Sequence, residues 1–359
     1  MPQTIASLIK DATRADGSAR SIRAAARLMS ILESEPERLP ELFREIPIDQ
    51  WPNPRLILGI TGAPGAGKST LTDQLVAAYR LRRPDSRLGV IAVDPSSPFT
   101  GGAVLGDRVR MMRHSTDPQI FIRSLSSRGH LGGLSLGVKG VLRVMGLIGC
   151  DTVFIETVGV GQSEIEVTRV ADLVLVILAP GQGDSIQMLK AGLMEIGDLF
   201  VVNKADREGA SHLHATLLSA LGMDHDLWKD ELAAHGDSHA MPVDDELADS
   251  ILSRRRPEKP EVFLVSATEQ TGIDELINGL EKRVERSEAR WKARRDEAVL
   301  EEVKEAVFED VRKRIEAALG SNGDAALELK RILIGELTVP QLSDELIKKV
   351  SSTGEDAGR

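Results

Sequence analysis

LILGITGAPGAGKST, residues 56–70, decides how the rest of the chain is read. Leu56–Thr61 has the aliphatic and β-branched content of a buried strand. It stops at Gly62, and Gly62 to Ser69 fits the spacing G-x-x-x-x-G-K-S/T between a strand and a helix. Glycines let the backbone wrap around phosphate oxygens with no Cβ in the way. The helix that follows adds the partial positive charge of its N-terminus. Gly62, Ala63, Pro64, Gly65, Ala66, Gly67, Lys68, Ser69 and Thr70 are therefore the candidate phosphate cradle. Lys68 can reach the β and γ phosphates, and the Ser69 hydroxyl can bind Mg²⁺. A glycine-rich turn without a ligand is the plainer reading, and the strand and helix on either side argue against it.

Outward from this stretch the texture repeats. Strand-like runs recur at Leu56–Thr61, Leu88–Val93, Ile120–Arg123, Thr152–Ile155, Leu173–Leu178, Leu199–Asn203 and Val262–Ser266, with helical stretches between most of them. That alternation predicts an α/β fold, a mainly parallel central sheet flanked by helices. Its ligand would lie at the carboxyl ends of the strands. Before it, residues 4–46 read as two or three helices, with Ile5, Leu8 and Ile9, then Ile22, Ala26, Met29 and Ile31, near helical spacing. Pro52 and Pro54 break that pattern. Residues 222–260 read as a polar insertion whose His225, His235 and His239 lack tight ligand spacing and belong in solvent. From Thr271 to Ala318 nearly every residue favours a helix, either projecting and pairing or packed with a solvated face. The expected domains are an N-terminal helical segment (1–50), a nucleotide-binding domain (51–285) and a C-terminal helical extension (286–359).

Bulk composition narrows the function classes. The chain has 359 residues, 42% of them apolar, enough for a sizeable core. A net charge of −10 argues against a nucleic-acid sheath or an anionic-membrane binder. One cysteine, Cys150, excludes an internal disulfide framework and a Cys-rich metal site. The apolar runs, such as Leu173–Pro180, are strand-length and far short of a membrane span. The amphipathic N-terminus has some character of a transit peptide, but Asp11 and Asp16 oppose that and favour a helix of the mature protein. A cytoplasmic protein is the expectation.

A triphosphate site is not yet a base preference. Asn203-Lys204-Ala-Asp206 ends a later strand. A buried Asp206 would offer two acceptors to the N1–H and N2–H₂ edge of guanine, which adenine lacks. Ser266, Ala267 and Thr268 close the last strand, where backbone N–H groups can meet the guanine O6. Glu156-Thr-Val-Gly159 ends another strand at the place where GTPases carry D-x-x-G. Glu156 can hold Mg²⁺ directly or through water. The N–H of Gly159 can sense the γ-phosphate, and the glycines after it allow movement. Two more polar segments, Asp94 to Arg108 and Pro180 to Lys190, read as nucleotide-facing loops, with Asp94 and Asp107 as candidate metal or water ligands. In Ras-like proteins a glutamine after the switch glycine orients the attacking water. Here that place is Val160 and the nearest glutamine is Gln162, which predicts slow intrinsic hydrolysis accelerated by a partner. Arg108, Asp184 and Lys190 are candidates to complete the catalytic site with Lys68 and Glu156.

Taken together, GITGAPGAGKST, AVDPSSPFTGGAVLGDR, FIRSLSSRG, ETVGVGQSE, PGQGDSIQMLKAG and VVNKAD resemble the MeaB/MMAA/ArgK GTPases, over residues 1–220 closely and 262–318 more loosely. The resemblance implies a P-loop GTPase fold using GTP, GDP and Mg²⁺, with the metal near Ser69, Asp94, Asp107 and Glu156. It implies three switch segments, 94–110, 156–169 and 180–190, and a homodimer built through the C-terminal helices. It also implies a chaperone of an adenosylcobalamin-dependent acyl-CoA mutase that gates cofactor delivery and protects or rescues the enzyme. The adenosylcobalamin would be bound by the mutase, and the adenosyltransferase that supplies it is a further candidate partner. Three rivals remain at this stage. A transport-system kinase or ATPase is opposed by Asn203–Asp206, a nickel-type metallochaperone by the scarcity of Cys and clustered His, and a non-hydrolysing module by Lys68, Ser69 and Glu156.

Overall fold

A computed structural model of the chain describes residues 4–14, 18–35, 38–47, 50–95, 112–114, 116–127, 133–157, 170–181, 197–222, 259–320, 338 and 341–342. Seven strands form one parallel sheet: β1 Leu56–Gly62, β2 Arg87–Pro95, β3 Ile120–Ser127, β4 Cys150–Thr157, β5 Leu173–Leu178, β6 Leu199–Val202 and β7 Glu261–Leu264. Their order is β3-β2-β4-β1-β5-β6-β7. The chain works outward from β1 in one direction, returns, and continues in the other. The crevice at that reversal is where a parallel sheet binds its ligand, and β1 feeds the glycine loop directly into it.

The strands alternate between two cores. Ile57, Val153, Ile155, Val174 and Val176 point to one face, and Leu58, Ile60, Phe154, Leu175 and Ile177 to the other. Burial on both faces is why these strands read as nearly continuous apolar runs. On the first face lie α1 Ile5–Ala12, α2 Ala19–Ser34, α3 Leu39–Glu45, α5 Gly133–Leu147 and α6 Ala210–Gly222. The hydroxyls of Thr4 and Ser18 cap α1 and α2 by accepting from the N–H of Ser7 and Ser21. The proline linker is tied down as well. Trp51 Nε1 donates to the carbonyl of Arg143 at 2.9 Å, and Arg143 donates to Asn53 at 2.7 Å.

The second face carries α4 Lys68–Arg82 and the first half of α7, Ile273–Gly320. Ile273, Leu276, Ile277, Leu280, Val284 and Trp291 of α7 are buried against the sheet and α4. Arg295 closes the contact, donating bidentately to buried Asp172 and through Nη1 to the Pro54 carbonyl at 2.6 Å. Asp172 in turn accepts from the backbone N–H of Ile57 at 2.6 Å. The border expected at 285/286 thus falls within one 48-residue helix whose grip on the sheet extends to Arg295. Among the described residues no helix is long and apolar enough to cross a membrane.

Strand edges differ from the sequence reading by a few residues. β4 extends to Thr157, so Glu156 stands within the ladder, in register with Ile60 on one side and Ala92 on the other. Neighbouring strands on both sides supply hydrogen-bond partners that an isolated stretch cannot reveal. Asn203 and Ser266 lie just beyond β6 and β7 rather than inside them.

Candidate nucleotide site

The phosphate loop is shaped by positive backbone angles. Gly62, Gly65 and Gly67 have φ of 141°, 74° and 91°. A Cβ on Gly62 would lie 2.0 Å from the Ile177 carbonyl oxygen, and one on Gly67 would lie 2.4 Å from Asn203 Nδ2. Neither position admits a side chain. Lys68 is buried and its ammonium donates to the carbonyls of Gly62 at 2.7 Å and Ala63 at 3.0 Å. The lysine therefore arches over its own loop, with its charge at the loop mouth. Helix α4 begins on Gly67 with no side-chain cap, and Pro64, Gly65 and Thr70 are exposed around that end. A helix N-terminus that begins on a glycine, a lysine and a cradle without Cβ atoms fit a chain of phosphates.

Beside it, the Ser69 hydroxyl donates to Glu156 Oε1 at 2.5 Å. Glu156 is buried at the end of β4, and Ser69 is in the first turn of α4. A hydroxyl and a carboxylate in contact are hard oxygen donors, and they suit Mg²⁺, which keeps part of its water shell and takes few protein ligands. Asp94 lies on β2, two residues beyond Ala92, the register partner of Glu156. The site residues Asp107, Arg108, Gly159, Gln162, Asp184 and Lys190 lie outside the described residues, as do Val160 and the three histidines of the insertion.

Across the loop, Asn203 does work that sequence reasoning missed. It is buried, its Nδ2 donates to the carbonyl of Ala66 at 2.8 Å, and its Oδ1 accepts from the N–H of Ala267 at 3.1 Å. One side chain therefore fastens the phosphate loop to the loop after β7, and the Ala267 amide is engaged by protein. Lys204, at φ 59°, donates to the Gly65 carbonyl at 2.6 Å. Asp206 is exposed rather than buried, and it accepts from the Ser266 hydroxyl at 2.5 Å. That bond, helped by a backbone N–H, holds its carboxyl below the usual carboxylate range. The loop is squared off by reciprocal backbone bonds between Ser266 and Thr271, both 3.1 Å, which leave Thr268 at its exposed tip. An ionised, outward-facing carboxylate in this place can accept a pair of N–H donors from a base laid over Lys204.

A second support is equally hidden in the sequence. Asp73, one turn beyond Ser69 on α4, pairs with Arg113 at 2.7 Å and His114 at 2.9 Å. A polar residue on a helix gives no sign of such a partner 40 residues away.

A family model described as "Methylmalonyl Co-A mutase-associated GTPase MeaB" matches residues 26–320. A homologue from Pyrococcus abyssi is 39% identical over 336 residues, spanning 92% of this chain and 94% of that one. The GTPase ArgK of Escherichia coli is 35% identical over 286 residues, 76% of each chain. Among solved structures, one titled as a LAO/AO transport system kinase covers 99% of both chains with a TM-score of 0.60 at 24% identity, a likeness of fold. With a parallel sheet that delivers a phosphate loop, a Ser–Glu pair and an Asn–Lys–x–Asp turn to one edge, the chain belongs to the family of methylmalonyl-CoA mutase-associated GTPases, MeaB.

Proposed function

We propose that the protein is a GTP-hydrolysing switch that gates adenosylcobalamin delivery to an adenosylcobalamin-dependent acyl-CoA mutase, methylmalonyl-CoA mutase or a relative, and that protects or reactivates that enzyme. The observation that carries the reading is the Ser69–Glu156 contact of 2.5 Å beside Lys68. It joins the phosphate loop to the strand that runs directly into residues 158–169, so nucleotide state and chain position meet at one carboxylate. Mg²⁺ held by Ser69 and Glu156 would neutralise charge on the phosphates, and Lys68 would take up the β and γ oxygens. Asp206 would select guanine. Asp94 and Asp107 would complete the metal's surroundings, and Gln162, Arg108, Asp184 and Lys190 would position the attacking water, with Gly159 sensing the γ-phosphate. Without a glutamine at Val160, turnover alone should be slow. Adenosylcobalamin stays on the mutase in this scheme, and the protein works in the cytoplasm as a homodimer.

Steady-state turnover of GTP and ATP with and without the mutase tests the reading. Hydrolysis of GTP, accelerated by the mutase, and cofactor transfer that differs between GTP and a non-hydrolysable analogue are the expected results. Equal use of ATP, or a mutase that changes neither turnover nor transfer, would overturn it.

A further inference from the structure

One side of α4 is bound to residues 112–119, which join the stretch carrying Asp107 and Arg108 to strand β3. At one end of this contact Asp73 of α4 gathers two neighbours. Arg113 donates through Nε to Oδ1 at 2.8 Å and through Nη2 to the Asp73 carbonyl at 2.6 Å, and Nη2 also lies 2.7 Å from Oδ2. His114 Nε2 stands 2.9 Å from Oδ1. Both neighbours belong to the short 3₁₀ turn Met112–His114. At the other end Arg80 donates to Asp117 at 2.8 Å, and the second oxygen of Asp117 accepts from the N–H of Gln119 at 2.9 Å, where the chain turns into β3.

Polar bonds rather than core packing make this contact. Arg113, Thr116 and Pro118 are exposed, and among the described residues from Arg113 to Gln119 only His114 is buried. Asp73 and Arg80 lie seven residues apart, two turns along one side of the helix. The acid of α4 meets bases and the base of α4 meets an acid, so a strip displaced along the helix would set like charges against each other. Partly exposed ion pairs add little to overall stability. What this pattern fixes is register.

The chain itself says what that register positions. Asp73 is one turn beyond Ser69 on α4, and Arg113 follows Asp107 by six residues. Six residues reach at most about 22 Å, so holding Arg113 on α4 limits how far Asp107 can lie from the Ser69–Glu156 pair. Resting on the reading of that pair as the Mg²⁺ site, we propose that Asp73 is a positioning residue for metal-assisted nucleotide binding and acts through Arg113 and His114. Without its carboxylate, the order of residues 112–114 would have to be gained as the metal binds, and metal affinity would fall.

The full-length protein with a fluorescent GDP analogue is titrated with Mg²⁺, and nucleotide affinity is measured again in EDTA. Asp73→Asn keeps the size of the side chain and removes its charge. It should raise the Mg²⁺ midpoint roughly fivefold or more, the loss of a charge-assisted bond, and leave affinity in EDTA near wild type. Arg113→Gln, at a side chain 43% exposed, should do the same with the fold intact. The double variant should be no worse than either single change. Asp73→Glu, which keeps the charge, should recover part of the metal affinity. Arg82→Gln, on the side of α4 that bonds to Asp274 and Asn278 of α7, should lower the urea midpoint and leave the Mg²⁺ midpoint alone. Wild-type Mg²⁺ midpoints in Asp73→Asn and Arg113→Gln would reduce the contact to a fastening of the fold and overturn the proposal. So would a parallel loss of affinity in EDTA, or additive effects of the two changes. A wild-type protein whose GDP affinity ignores Mg²⁺ would overturn the nucleotide-switch reading itself, and this proposal with it.

Discussion

The residues that define the site divide into those fixed by backbone shape and those fixed by charge. Gly67 belongs to the first kind. At φ 91° and with Asn203 Nδ2 2.4 Å from a would-be Cβ, Gly67→Ala must distort the loop or displace Asn203. Left-handed backbone alone costs about 1–2 kcal/mol for a residue with a Cβ, and the clash adds to it. A guanine-nucleotide titration and a urea melt should therefore both show loss, with binding affected more because Asn203 anchors the base loop. Asp206 belongs to the second kind. Its carboxyl titrates below the usual range, first because of Ser266, so it stays ionised as the medium becomes mildly acidic. Its ionised form is present above its own lowered pKa and is lost only as pH falls through that value. GDP affinity should accordingly stay level from neutral pH through the mildly acidic range and decline only in stronger acid. Ser266→Ala removes the main cause, and the decline should then begin at a higher pH. Affinity measured by calorimetry across that range checks the shift, and identical profiles for the two proteins would refute it. The motif spacing singled out Lys68, Ser69 and Asp206 as candidates, though it could not tell that Asp206 would be exposed. The double duty of Asn203 was not legible in the sequence, because it depends on Ala66 and Ala267, 137 and 64 residues away, meeting at one point.

Elements were more legible than their fastenings. Seven apolar runs read as strands are the seven strands of the sheet, since burial on both faces writes itself into each run. Their ends were less clear, because the last residues of β3 and β4 owe their strand form to neighbours in the ladder. The helical stretch from Thr271 was also evident, but what fastens it to the sheet was not. One fastening is the Asp172–Arg295 pair, two residues 123 positions apart whose charges gave no hint of one another. Asp172 is almost fully buried and also caps the Ile57 N–H, while Arg295 keeps about a fifth of its side chain in solvent. Removing one partner of such a pair leaves a buried charge alone, at a cost of about 3–5 kcal/mol in fully buried cases, and somewhat less here given the exposure of Arg295. Arg295→Gln should therefore lower the urea midpoint clearly. Asp172→Asn with Arg295→Gln should cost less than the sum of the two single changes. Strict additivity would mean that the pair contributes little and that Trp291 and Val284 hold the helix.

At the scale of the whole molecule, α7 changes character along its length. Up to Arg295 its inward residues are buried, but farther on Val303, Val307, Phe308 and Val311 are exposed, Phe308 by 72%. Their spacing of four, one and three places them on one side of a helix. Isolated exposed apolar residues need no explanation, whereas a contiguous apolar stripe on a charged helix does. Helix rise puts Phe308 about 20 Å beyond Arg295, past the Asp172–Arg295 fastening and on the side away from the phosphate loop. A second copy of the same helix could cover this stripe by a two-fold interface, in which each residue meets its counterpart's surroundings. That arrangement supports the proposed homodimer. It also places assembly at the end of α7 far from the phosphate loop, with the exposed stripe about 20 Å beyond Arg295. Phe308→Asp should then convert the dimer to monomers in sedimentation equilibrium, while GDP affinity and the urea midpoint of the nucleotide domain stay near wild type. A variant that remains dimeric would move the interface elsewhere. One that becomes monomeric and also loses nucleotide would show that the two ends of α7 are coupled through Arg295 and Trp291 rather than independent.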